Sequence, residues 1–403
     1  MKIGVWLDAD YHPEAGGGFS YYDKLVKAID SYDFSEGLEF CFVSTGGIAS
    51  LPLKRQKIQL LFHPKISFSE RVKKHLPILG SYCREQLAQQ WSVEENKSYI
   101  EQLKKCNVDV LYYLRQGEQH VKDFPFVATN WDIGHCSTYA FPELVSGGQY
   151  AIRHRSYTTL LPQALFVFAE SEAGKSELIR YTKISSDKIK VVPIFAGDCI
   201  AEVVSTEKQL EILQQFGLIA QKYFFYPAQF WAHKNHIGLL YAFSEFLRKH
   251  SGYKLVLTGS DKGNLGYVRE TVEKLGLNEA VVFPGFVPIA TLNTFYIQSA
   301  ALVMASFFGP TNMPPIEAMH LGCPVLCSDI QGHHELLGDA AIYFDTMKTE
   351  TIVAAMEKII SDRDEYVRRL KHRAEQSVFT IEEALARINE YMLQLIPIRS
   401  TWK

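Results

Sequence analysis

Thr311, Asn312 and Met313 stand just ahead of Pro314 and Pro315, where an apolar strand-like run ends and a helical pattern begins. Proline suits a first helical turn because the N–H it lacks would be unpaired there. The donors left at this helix start are the backbone N–H groups of Thr311, Asn312 and Met313, which with the helix dipole make an anion site. Glu317 follows within the same helix and can accept hydrogen bonds from two neighbouring hydroxyls; a plainly capped helix would read the same way. Lys234 stands at another strand-to-helix passage, where it can meet a diphosphate as a point charge. His233 and His236 beside it form an H-x-x-H pair with no carboxylate at metal spacing, so no metal site is expected. A third anion loop is Gly16-Gly17-Gly18, after the first strand-like run and before a helical one. It is not G-x-G-x-x-G, so the dinucleotide fingerprint is absent and no cofactor is expected. Ala173-Gly174-Lys175-Ser176 lacks the earlier glycine of a P-loop. The short acidic patterns at 8–10 and 362–364, and the His334-Glu335 pair, carry little weight.

The elements that position these residues repeat a β-then-α cycle, the mark of α/β domains with parallel sheets. Strands are expected at 2–8, 38–44, 109–114, 126–129, 165–169 and 189–192, and again at 222–227, 253–258, 281–283, 301–305 and 324–328. The main helices are expected at 18–31, 97–106, 150–161, 172–181 and 235–249. A chain of 403 residues divides naturally into two such units. The division expected is a Rossmann-like domain over 1–196 and a second over 197–380, with a terminal helix in about 381–403 crossing back to the first. In open parallel sheets the ligand lies beyond the carboxyl ends of the strands, which here means the cleft between the domains. The net charge of −3 argues against nucleic acid as a partner. Seven cysteines, with no C-x-x-C pair, fit reduced thiols in a cytoplasmic protein. No apolar run approaches the ~20 residues of a membrane span.

The ordered set of motifs resembles the retaining nucleotide-sugar glycosyltransferases of family 4 (group 1), with the GT-B fold. The resemblance rests on the glycine loop, Lys234-Asn235, Thr258-Gly259-Ser260, Phe283-Pro284-Gly285-Phe286-Val287, Glu317-Ala318-Met319 and Gly322-Cys323-Pro324. It is strongest over about 222–345. It implies that Gly17 and Gly18, with Gly16, approach the donor phosphates and sugar. It further implies that Lys234 binds the diphosphate, that Phe286 and Val287 flank the nucleobase near Ser260, and that Glu317 grips the ribose.

Three departures accompany it. Gln229 stands where the family usually has a phosphate-binding Arg. Gly309 stands where the first of two paired glutamates is usual, leaving loop backbone or Asn312 as replacements. Trp131 stands where a His-Asp pair is usual, with Asp132 following it and His135 the substitute expected near the sugar. The reaction implied is sugar transfer from a nucleoside diphosphate to an acceptor hydroxyl, with retention and without metal. The acceptor, a glycan or lipid-linked saccharide, is expected against the first domain. There the stretch 51–91 carries Lys54, Arg55, Lys57, Arg71, Lys73 and Lys74. Those charges fit a solvated surface or a peripheral contact with the inner face of a membrane. A nucleotide-sugar epimerase of the same fold and a non-catalytic nucleotide-sugar-binding protein are the competing readings.

Overall fold

A computed structural model describes residues 1–8, 17–63, 80–117 and 119–402. Gly16 and the basic residues Arg71, Lys73 and Lys74 lie outside the described residues.

The first domain is built on a seven-stranded sheet of order β3-β2-β1-β4-β5-β6-β7. Its strands are β1 (Lys2–Trp6), β2 (Glu39–Ser44), β3 (Lys57–Gln59), β4 (Val110–Tyr113), β5 (Phe126–Asn130), β6 (Val167–Ala169) and β7 (Ile189–Val191). The second holds a six-stranded sheet of order β10-β9-β8-β11-β12-β13. Its strands are β8 (Tyr223–Pro227), β9 (Lys254–Thr258), β10 (Val281–Gly285), β11 (Ala301–Met304), β12 (Val325–Ser328) and β13 (Ala341–Phe344). Every ladder between these strands is parallel. Parallel sheets are covered on both faces, so their central strands are apolar throughout rather than alternating. Val110–Tyr113 and Val325–Ser328 are accordingly buried at every position.

Helices make the crossovers. In the first domain they are α1 (Gly17–Ser31), α2 (Gly80–Lys105), α3 (Gly134–Ser137), α4 (Pro142–Val145), α5 (Gln149–Arg155) and α6 (Glu172–Tyr181). In the second they are α7 (Thr206–Gln215), α8 (His236–Lys249), α9 (Leu265–Lys274), α10 (Ile289–Gln298), α11 (Met313–His320), α12 (Gln331–Leu337) and α13 (Thr349–Glu375). Strands β3 and β13 are additions to the expected set. Both are short edge strands, and β3 is only three residues long in a polar stretch, too short for periodicity to show.

The last helix, α14 (Ile381–Arg399), lies on the first domain. Asn389 accepts from the Ser35 N–H at 2.9 Å and donates to the Ser35 hydroxyl at 2.9 Å, and Arg399 pairs with Asp109 at 2.9 Å. Strand order reverses between β1 and β4 in one sheet and between β8 and β11 in the other. Such switch points open crevices at the carboxyl ends of the strands. The segments leaving β1, β8 and β11 lead into the Gly17, Lys234 and Thr311 regions. Among the described residues no helix is long and apolar enough to cross a membrane.

Candidate active site in the interdomain cleft

A cleft of about 430 Å³ is lined by both domains. Gly17, Gly18, Trp131, Asp132 and Glu170 face it from the first domain, and Gln229, Lys234, Thr311, Asn312 and Met313 from the second. The chain turns sharply after Lys234 because Asn235 adopts a left-handed conformation, φ 55°, as the cap of α8. Asparagine tolerates that region and its amide oxygen accepts the Gly238 N–H, so the turn is encoded locally.

The Lys234 ammonium donates to Asn312 Oδ1 at 2.9 Å. Asn312 Nδ2 lies 3.1 Å from His333 Nε2, and His333 Nδ1 lies 2.9 Å from the Ser328 carbonyl oxygen. A carbonyl can only accept, so His333 carries its proton on Nδ1 and accepts at Nε2. That assignment turns the Asn312 amide so that its oxygen faces Lys234. Burial lowers His333 to about 4 and keeps the ring neutral. Burial also lowers Lys234 to about 8, opposed by the carboxyls of Asp132, Glu170 and Glu143. No side chain caps the start of α11, and its first turn opens on the same cleft.

Glu170, directly after β6, is the residue that sequence reasoning passed over. It is buried in the cleft wall, and burial raises its carboxyl to about 8, so it is mainly protonated at neutral pH. A carboxylate at the carboxyl end of an expected strand was the available signal. Glu143 was also passed over. Its Oε1 lies 2.5 Å from His233 Nδ1 and accepts the His233 backbone N–H at 3.0 Å, joining the two domains. Burial raises Glu143, but the His233 hydrogen bonds outweigh it and hold the carboxyl below its usual value. Burial lowers His233 to about 4 despite Glu143, so a neutral imidazole N–H donates to the carboxylate. A second interdomain link sets both Glu335 carboxylate oxygens on the N–H groups of Glu172 and Ala173, at 2.9 and 2.8 Å. Lys175, in the sequence that mimics a P-loop, therefore lies inside a capped α6.

The structure separates several other candidates from the cavity. Glu317 turns toward the domain linker, accepting the Gly197 N–H at 3.2 Å and the Tyr296 hydroxyl at 2.6 Å. Burial raises its carboxyl, partly offset by donors from Tyr296, Cys199 and Gly197. Substituting Glu317 by Gln places an amide NH₂ against these donors. The E317Q apoprotein is expected to lose about 1–3 kcal/mol of stability, read by denaturant melts without nucleotide. A purely ligand-gripping role would leave those melts unchanged.

His135 is not brought to the cleft. Gly134 packs against Phe308, and the His135 ring lies among Tyr150, His154 and Tyr157. Asp132 does reach the cleft, and its Oδ1 accepts the Gly134 N–H at 2.9 Å. Phe286 and Val287 follow β10 at the sheet edge and, with Ser260, do not line the cavity. Phe286 is 69% exposed.

Gly309 explains one departure physically. It has φ +128°, and a Cβ there would lie 2.9 Å from Asn312 Nδ2 and 3.0 Å from the Thr311 carbonyl oxygen. A glutamate does not fit this loop as it stands. Asn312, the replacement considered for that carboxylate, is committed to Lys234 and His333.

Two facing parallel-sheet domains with the cleft at their switch points are the GT-B architecture. Sucrose-phosphate synthase from Thermosynechococcus elongatus shares it with a TM-score of 0.70 at 17% identity, over 98% of this chain and 99% of that one. Anabaena HepE, solved in complex with UDP-glucose, matches with a TM-score of 0.68 at 16% identity, over 98% and 100%. Residues 210–377, within the second domain, match the family Glycosyl transferases group 1. In sequence the chain is 26% identical over 229 residues to O-antigen chain mannosyltransferase B of Escherichia coli, covering 56% of this chain. It spans 59% of that relative's length.

Proposed function

We propose that this protein is a glycosyltransferase that moves a sugar from a nucleoside diphosphate to an acceptor hydroxyl with retention of configuration. The observation that carries the reading is the convergence of the Lys234 ammonium and the uncapped start of α11 on one interdomain cleft. The charge that must be stabilised develops on the departing diphosphate. A fixed ammonium and oriented N–H groups stabilise it without a metal ion. Gly17 and Gly18 let backbone approach the phosphates from the opposite wall. Glu170, neutral and in the cleft wall, holds the transferring sugar in place of the carboxylate missing at 309. Asp132 and Trp131 close the sugar end of the site.

In this reading the departing phosphate takes the acceptor proton on the face it leaves, and the Glu143–His233 link keeps the domains together while water is excluded. The acceptor, a glycan or lipid-linked saccharide, meets the first domain. The Escherichia coli relative is named as a mannosyltransferase, so mannose donors are the first to test. Thermal shifts with UDP, GDP, ADP and TDP and their sugar derivatives, with and without EDTA, test the reading. One nucleotide is expected to raise the melting temperature by mass action, unaffected by EDTA. Absence of any shift on folded protein would overturn the proposal.

A further inference from the structure

We propose that His135, Cys136 and His154 form a Zn²⁺ site that ties α3 to α5 outside the donor cleft. Their ligand atoms all lie within 4.8 Å of one another. His135 is 6% exposed, both of its ring nitrogens are buried, and neither has a hydrogen-bond partner among the described residues. Two unpaired ring nitrogens in a closed environment are costly, and a metal would engage one of them directly. Two imidazoles and a thiolate are a zinc-type ligand set. Zinc bond lengths of about 2.0–2.1 Å to nitrogen and 2.3 Å to sulfur place tetrahedral ligand atoms roughly 3.4–3.6 Å apart. Closing from the observed spacing needs movements on the order of 1 Å, with solvent completing the fourth position beside the exposed His154.

The neighbours hold the rings in place. Tyr150 stacks on His154 with centroids 5.7 Å apart, and Tyr157 lies 5.0 Å from His135. Asp132 and Arg153 stand nearby and pair with each other at 3.5 Å, so no net positive charge is imposed on the site. Residues 135, 136 and 154 follow no recognised zinc spacing, so the site exists only once α3 and α5 pack. A bound ion would fix the segment that begins directly after Trp131 and Asp132.

The test uses the tag-free full chain, stripped with a chelator and titrated with Zn²⁺ or Co²⁺ alone. One ion per chain is expected, and the Co²⁺ form should show a thiolate charge-transfer band with the strong visible bands of a four-coordinate ion. Cys136→Ala should abolish the charge-transfer band. His154→Gln, at an exposed side chain, should weaken binding at least by the about 10–100-fold that loss of an outer-shell partner costs, without shifting the melting temperature of the metal-free protein. Sub-stoichiometric binding, or Co²⁺ spectra that neither substitution changes, would overturn the proposal. Nucleotide binding plays no part in these readouts.

Discussion

Replacing Lys234 by Met is expected to lower kcat/KM by about 10²–10³-fold, the scale seen when one oriented donor is removed from developing negative charge. Nucleoside diphosphate and nucleotide sugar should weaken together, because both carry the group that Lys234 meets. The effect has a pH signature. The Lys234 ammonium titrates at about 8 in the folded protein, well below the ordinary 10.5. Donor affinity should therefore be flat below pH 8 and fall about tenfold per unit above it, as one proton must be taken up on binding. Folding stability moves the other way. Between about 8 and 10.5 the unfolded chain holds the proton that the folded chain has lost, so this lysine's contribution to stability rises with pH. Isothermal titration across pH 6.5–9.5, in buffers of different ionisation enthalpy, reads the proton directly. A wild-type profile that K234M reproduces would remove Lys234 from the diphosphate site.

The second large effect is expected at Glu170. Its carboxyl is raised to about 8 by burial, so at neutral pH it both donates and accepts. Glu170→Ala should lower kcat/KM by about 30–160-fold, the equivalent of the about 2–3 kcal/mol lost when a buried partner is left unsatisfied. Glu170→Gln keeps a neutral group with a donor and an acceptor and should retain most of the activity. Binding of the bare nucleoside diphosphate should be unchanged in both variants, in contrast to K234M. Measuring Kd for the nucleotide beside kcat/KM for the nucleotide sugar separates the two walls of the cleft. Equal losses in nucleotide and sugar-nucleotide binding would place Glu170 on the diphosphate and refute the sugar role.

The repeating α/β order was legible because it is local. Buried parallel strands must be apolar on both faces, and the helices between them must carry one apolar stripe. The positions of Lys234 and of Thr311–Met313 were legible for the same reason. Each sits where a strand passes into a helix, with Asn235 or Pro314 and Pro315 marking the helix start. Glu317 shows the limit of such reading. Its place on α11 follows from the pattern, yet its carboxylate meets Gly197 and Tyr296, 120 and 21 residues away in the chain.

His135 and Glu170 illustrate the same division from opposite sides. An isolated His beside Asp132 invites a role at the sugar, but the packing of Gly134 on Phe308 sets its ring among aromatics. Glu170 carries no motif, and its burial in a cleft wall shared with Thr311 appears only once the two domains are packed. The His333–Asn312–Lys234 chain needs three segments from different βα units to meet. Sequence by itself determined most of the strands and the helix starts beside the cleft, since backbone hydrogen bonding and apolar periodicity act over a few residues; the short edge strands β3 and β13 and the start of α2, expected at 97 and found at Gly80, were not legible in it. Tertiary structure alone decided which side chains share the cleft and which are protonated there, because desolvation and charge coupling depend on neighbours that only domain packing supplies.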